Sequence, residues 1–216
     1  MAETFTVLTV CTGNVHRSAL AGDLLATWAQ WYLPEGLRDA VVVGSAGTRA
    51  PVGEPMGGMT RRVAIALGAV DRAHRARALT EPLIADADLV LAASRAHRDQ
   101  IIRRLPRAMR RTFTIREAGR ISELLPRGRP ATTDDLVALV RRMAELRLDA
   151  SSSHAGDDDI VDPQGKGTAG MDGMVREEVP ALARLAVALW GMPRGDADEY
   201  VRVSAVPESL RDASLS

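Results

Sequence analysis

The sequence predicts an α/β fold, doubly wound, with a four-stranded parallel sheet and helices on both faces. Three observations carry this expectation. Short, nearly continuous apolar runs alternate with longer stretches whose apolar residues recur at helical spacing. Glycine, proline and aspartate cluster between the two kinds of segment, where the chain must turn. A chain of 216 residues with 46% hydrophobic content can also bury a sizeable core without disulfides or structural metal.

Taken in order, residues 5–10 read as the first strand. Residues 18–31 follow as a helix, with Leu20, Leu24, Leu25, Trp28 and Trp31 at helical intervals. A second strand at 40–43 runs into the turn-rich "GSAGTRAPVGEPMGG", and 59–67 can be helical. Residues 89–92 make a third strand, 95–105 a helix and 112–115 a fourth strand. An amphipathic helix is expected over 134–148, with Leu136, Val140, Met143 and Leu146 on one side, before the polar loop "DASSSHAGDDD". The last expected helix spans 172–189. The expected division is therefore one domain over 1–194, carrying a long variable segment near 118–157, and a loosely docked tail over 195–216.

The charge balance excludes some function classes. Twenty-eight basic residues meet 28 acidic ones, so the net charge of +0 gives no footprint for nucleic acid or an anionic membrane surface. Arg103, Arg104, Arg110 and Arg111 read as solvated helix faces. No apolar run approaches the roughly 20 residues of a spanning helix, and no leader-like segment opens the chain, so a cytoplasmic protein is expected. The single cysteine, Cys11, can form no internal disulfide and rules out a thiolate-rich zinc site.

That cysteine sits in "VLTVCTGNVHRSALAGDLL", residues 7–25, where the first strand hands over to the first helix. In an open parallel sheet, ligands bind beyond the carboxyl ends of the strands. A strand-to-helix loop gathers backbone N–H groups around a concavity, and the helix N-terminus adds positive potential. Thr12, Gly13, Asn14, Val15 and His16 form this candidate phosphate-binding loop. Gly13 permits a sharp path and Asn14 tolerates a left-handed backbone. Arg17 offers a planar fork to two phosphate oxygens, and the same field favours Cys11 as the thiolate nucleophile. The competing reading is a small buried cysteine that merely ends a strand. The loop is not a Walker loop, since no G-x-x-x-x-G-K-[ST] occurs.

With "VCTGNVHRS", the chain also carries "GSAGT" at 44–48, "HRAR" at 74–77, "ADLVLAAS" at 87–94 and "DDDIVDPQG" at 157–165. In order and approximate spacing these segments resemble the low-molecular-weight protein tyrosine phosphatases. The resemblance implies that family's fold and a reaction through a phosphocysteine, with no cofactor and no metal. A phosphate monoester also needs a proton for its leaving group, which Cys11 and Arg17 cannot supply. The family's late Asp-Pro loop matches Asp162, which implies Asp162 as general acid; an ordinary Asp-Pro turn is the alternative. Ser18 is expected to donate to the Cys11 sulfur or to cap the helix. The family's supporting hydrogen-bond network implies roles for Asn14, Ser45 and His74. His97 and His154 read as a helix-surface and a loop histidine.

Departures from the family pattern bear on substrate. His16 stands where many members have a second cysteine, and Ala19 where proline is frequent. Gln164 follows Asp-Pro in place of an aromatic wall, and the opposite wall offers Arg49, Ala50 and Pro51. The expected partner is thus a phosphotyrosine protein or a small phosphomonoester, with oligomeric state open. Two other readings stand beside it: an arsenate reductase using an external thiol, and a phosphate-binding regulatory module with weak turnover.

Overall fold

The computed structural model describes residues 4–126, 128–150 and 155–203. Four parallel strands, β1 (Phe5–Cys11), β2 (Val41–Gly47), β3 (Leu89–Ala92) and β4 (Thr112–Thr114), form one sheet in the order β2-β1-β3-β4. The order reverses at β1, which lies between β2 and β3. The carboxyl end of β1 is therefore a switch point where a crevice opens beyond the sheet.

Both sheet faces are buried, which is why the strands read as continuous apolar runs. Along β1 and β3, Phe5, Val7, Leu89 and Leu91 face one core. Leu8, Val10, Val90 and Ala92 face the other. The larger core is covered by α1 (Arg17–Tyr32), α6 (Ile115–Ser122) and α8 (Gly167–Trp190). At its centre the fully buried Trp190 meets Phe5 edge-on, with ring centroids 6.4 Å apart. The smaller core lies under α4 (Glu81–Ala85) and α5 (Arg95–Arg104). Short helices α2 (Glu35–Arg38) and α3 (Gly58–Ala66) complete the first crossovers.

Two elements depart from expectation. Thr114 and Glu117 form a reciprocal capping box that opens α6, where only the end of a strand was expected. Gly119 then lets α6 approach α8, since a Cβ there would lie 2.8 Å from the Ala181 carbonyl oxygen. The segment read as a loosely docked tail contains α9 (Arg194–Arg202). It is held by Tyr200 against Trp28 at 4.7 Å between ring centroids and by Tyr32 Oη donating to Asp196 at 2.8 Å. The remainder of that tail, 204–216, lies outside the described residues, as does His154.

The variable segment near 118–157 contributes α7 (Thr133–Glu145), opened by a second capping box between Thr132 and Asp135. It packs on the 3₁₀ helix Pro106–Arg111 and toward the start of the strands. This is the sheet end opposite the loop after β1, so α7 adds no wall to that crevice. No helix among the described residues is long and apolar enough to cross a membrane.

Candidate active site

The loop after β1 is shaped by its carbonyl groups. The carbonyl oxygens of Cys11 and Thr12 accept from the N–H groups of Thr48 and Arg49, each at 2.9 Å. The Val15 carbonyl accepts from Gly57 N at 2.9 Å and that of His16 from Leu20 N at 2.8 Å. His74 Nε2 donates to the Asn14 carbonyl at 2.7 Å. In a planar trans peptide the N–H points opposite the C=O. Tying these five carbonyls to the surrounding protein therefore turns the N–H groups of Thr12, Gly13, Val15, His16 and Arg17 the other way, toward the concave side. No side chain caps α1, so its N-terminal amides remain open to an anion.

Asn14 is the keystone. Its φ of 56° is left-handed, which asparagine tolerates better than most residues. Its buried side chain donates to Ser18 Oγ at 3.0 Å and Ser45 Oγ at 2.8 Å, and accepts from Arg77 N at 2.9 Å. Ser45 and His74 thus meet at Asn14, one on its side chain and one on its main chain. Gly47 leaves room for the loop: a Cβ there would lie 2.6 Å from the Thr12 carbonyl oxygen.

Cys11 Sγ lies 2.9 Å from Ser18 Oγ and 3.3 Å from Asn14 N. Because Ser18 Oγ accepts from Asn14, its own hydrogen is directed to the sulfur, closer than the 3.4 Å alternative at the Ala46 carbonyl. Both donors stabilise negative charge on sulfur. Ser18 does not cap the helix, a position held by His16. Cys11 is buried, yet it lines a cavity of about 330 Å³ with Thr12, Gly13, Val15, His16 and Arg17.

Asp162 and Gln164 enter this cavity from the loop before α8, and Pro51 completes the lining. Arg49 is not among the lining residues; its N–H holds Thr12 and its side chain is exposed. The acidic run before Asp162 is otherwise engaged. Asp158 pairs with Arg120, and Asp159 accepts from Arg95 N at 2.7 Å. Ile160 N donates to the Ala93 carbonyl at 2.9 Å and Val161 N to Glu177 at 2.7 Å, which delivers Asp162 to Arg17 NH2 at 2.5 Å.

Two histidines matter more than their sequence context suggests. His97, expected on a helix surface, is buried: Nδ1 meets Ser94 Oγ at 2.7 Å and Nε2 meets Thr12 Oγ1 at 2.9 Å. Its pKa falls to about 4, first through burial and then through the Arg17 cation. The only local signal was Ser94 three residues earlier, as N-cap of α5. His16 bridges α3 and the loop before α8, from Thr60 Oγ1 at 2.7 Å to Gln164 Oε1 at 3.1 Å. Burial lowers its pKa as well. No local pattern marks Glu178, whose fully buried carboxyl has no hydrogen-bond partner among the described residues.

Comparison with known proteins fits this geometry. A protein-arginine-phosphatase of Geobacillus stearothermophilus is 34% identical over 149 residues, covering 65% of this chain and 95% of that protein. The solved YwlE arginine phosphatase of the same organism is 32% identical with a TM-score of 0.47, covering 69% of this chain and 99% of that one. The structure of YfkJ from Bacillus subtilis, 21% identical, has a TM-score of 0.50 over 69% of this chain and 94% of that one. The family model for low molecular weight phosphotyrosine protein phosphatase matches residues 6–121, from the first strand to the end of α6. The chain belongs to this family of cysteine-dependent phosphatases.

Proposed function

We propose that the protein hydrolyses phosphate from protein side chains, with phosphotyrosine as substrate, through a phosphocysteine on Cys11. The observation that carries this reading is the placement of Cys11 Sγ beneath converging donors, in one cavity with Arg17 and Asp162. In the first step the Cys11 thiolate attacks phosphorus in line and the bond from phosphorus to the leaving oxygen breaks. The loop amides and the Arg17 fork hold the other phosphate oxygens, while Asp162 gives its proton to the leaving phenolate. In the second step water attacks phosphorus, Asp162 takes the proton, and the sulfur leaves. Asn14, Ser18, Ser45 and His74 act by holding the loop and the sulfur.

A specific observation favours a second substrate, phosphoarginine. Among the residues lining the cavity none is phenylalanine, tyrosine or tryptophan; the rim carries His16, Gln164 and the 44% exposed Asp162 side chain. Such a rim offers hydrogen-bond acceptors to a guanidinium and no phenyl or indole face to a phenol. The 34% identical relative is named for arginine dephosphorylation.

Phosphate release from phosphotyrosine and phosphoarginine peptides, measured for wild type and Cys11→Ser, tests both readings. The expected result is turnover by wild type, none by Cys11→Ser, and retained binding of a phosphate analogue by that variant. Undiminished turnover by Cys11→Ser would overturn the mechanism. Preference for the phosphoarginine peptide would replace the first substrate with the second.

A further inference from the structure

A second cavity, of about 450 Å³, opens at the other end of the sheet. Asp88 immediately precedes β3 and Arg111 immediately precedes β4, so this cavity lies at the amino ends of strands whose carboxyl ends face Cys11. One side is the 3₁₀ helix with Arg107, Arg110 and Arg111; the other is α7 with Arg141 and Glu145. α7 lies beyond residues 6–121, the part that matches the family model.

Cations outnumber anions in this cavity, with four arginines to two carboxylates, although the whole chain is neutral. Of its two carboxylates, Glu145 is paired with Arg142 outside the cavity, while Asp88 keeps its charge beside a backbone donor. Asp88 Oδ2 accepts from Thr6 N at 2.8 Å, and Glu145 takes Arg142 at 2.8 Å. Arg111 is anchored as a floor, donating to the carbonyls of Ile84 and Ala85 at 3.2 and 3.0 Å. Its Nε is buried without an acceptor. Arg107, Arg110 and Arg141 are exposed, and none of them makes an ion pair among the described residues. Three unpaired guanidinium forks lining one concavity match several phosphate groups better than one. Val137, Val140 and Ala144 supply an apolar wall on the α7 side. The volume is that of a small-molecule site rather than a groove for a continuous polyanion.

We propose that this cavity binds an organic polyphosphate of nucleoside triphosphate size, its phosphates on Arg107, Arg110 and Arg141 and its apolar body against α7. The site is separate from the Cys11 cavity and does not depend on the reaction assigned there.

Calorimetric titration of the full chain with ATP tests this. Wild type and Arg17→Ala are expected to bind ATP with equal affinity, because Arg17 belongs to the other cavity. The triple variant Arg107→Ala, Arg110→Ala, Arg141→Ala is expected to lose affinity by about tenfold or more, since several charge-assisted pairs disappear. Its thermal melting and its hydrolysis of p-nitrophenyl phosphate should stay at wild-type values, which separates a binding defect from misfolding. The proposal is overturned if wild type does not bind ATP, if Arg17→Ala abolishes binding, or if the triple variant binds within about twofold of wild type. Tighter binding of a doubly phosphorylated peptide than of ATP at this cavity would also overturn it.

Discussion

Arg17 and Asp162 face each other across the candidate active site at 2.5 Å, the arginine side chain 6% exposed and the aspartate 44%. The cation proposed to bind phosphate is therefore held by the residue proposed to deliver the proton. On the proposed reading a substrate phosphate displaces the carboxylate from Arg17 NH2, and the freed Asp162 takes up from water the proton it then gives to the leaving group. Removing the charge with Asp162→Asn is expected to have opposite effects on binding and on turnover. Inorganic phosphate should inhibit more tightly, by several-fold, because Arg17 loses its internal anion. Turnover of esters with poor leaving groups should fall about 100-fold or more, and that of p-nitrophenyl phosphate much less. Steady-state kinetics over a series of leaving groups reads both; an equal loss on every ester would remove Asp162 from the role of acid.

Gly47 supports the loop and is not among the residues lining the Cys11 cavity. An added Cβ would press on the Thr12 carbonyl oxygen at 2.6 Å and on Asn14 N at 3.0 Å, both backbone atoms that cannot swing aside. Gly47→Ala should therefore lower kcat by about tenfold or more through misplacement of the amides, while the variant still folds. Circular dichroism and p-nitrophenyl phosphate hydrolysis distinguish this from global unfolding. Wild-type kcat in a folded Gly47→Ala protein would show that the loop tolerates displacement.

Much of this arrangement is legible in the residue string because it is local. The strand at 89–92 and the helix beginning near Arg17 follow from apolar periodicity and from the loop that separates them. Cys11, Asn14, Arg17 and Ser18 are close in sequence, so spacing alone brings them together. Asp162 is 145 residues from Arg17, and only the resemblance to a family singled it out from its acidic neighbours. His97 was misread because the partner that buries it, Thr12, is 85 residues away and no local pattern encodes that contact. α6 was missed although "TIRE" carries a capping box, since the strand before it is only three residues long and the two signals merge. The destination of α7 was equally unreadable, because an amphipathic face does not state which end of the sheet it covers.

Glu178 is a fully buried carboxyl on α8 with both oxygens unpartnered among the described residues. Burial pushes its pKa well above the usual carboxylate value, and the Arg17 cation only partly opposes this. The folded protein therefore keeps a proton that the unfolded chain releases as pH rises past roughly 4.3. Stability contributed at this position falls as pH climbs above that value. Glu178→Leu removes the penalty and should raise the melting temperature at pH 7–8 by a few degrees, with the gain shrinking toward pH 4. A lower melting temperature at pH 7–8, with no such narrowing, would mean that the carboxyl is ionised and serves as a counter-charge to Arg17.

His97 makes the opposite pH prediction. Its pKa of about 4 in the folded protein lies below the 6.5 of a free imidazole, so it is neutral at physiological pH. As a neutral ring it has one donor and one acceptor nitrogen, which suits its two hydroxyl partners, Ser94 and Thr12. The unfolded chain binds a proton near pH 6.5 that the folded protein refuses until about pH 4. Stability from this residue is therefore complete above pH 6.5 and lost as pH falls toward 4, by roughly 3 kcal/mol. His97→Gln cannot titrate and should flatten that acid limb in denaturant unfolding followed from pH 4 to 7. His97→Phe cannot bond Thr12 and should lower kcat by about tenfold without adding a new limb to the activity profile between pH 6 and 8. An activity limb near pH 6.5 that vanishes in His97→Gln would show instead that this imidazole carries a proton during turnover.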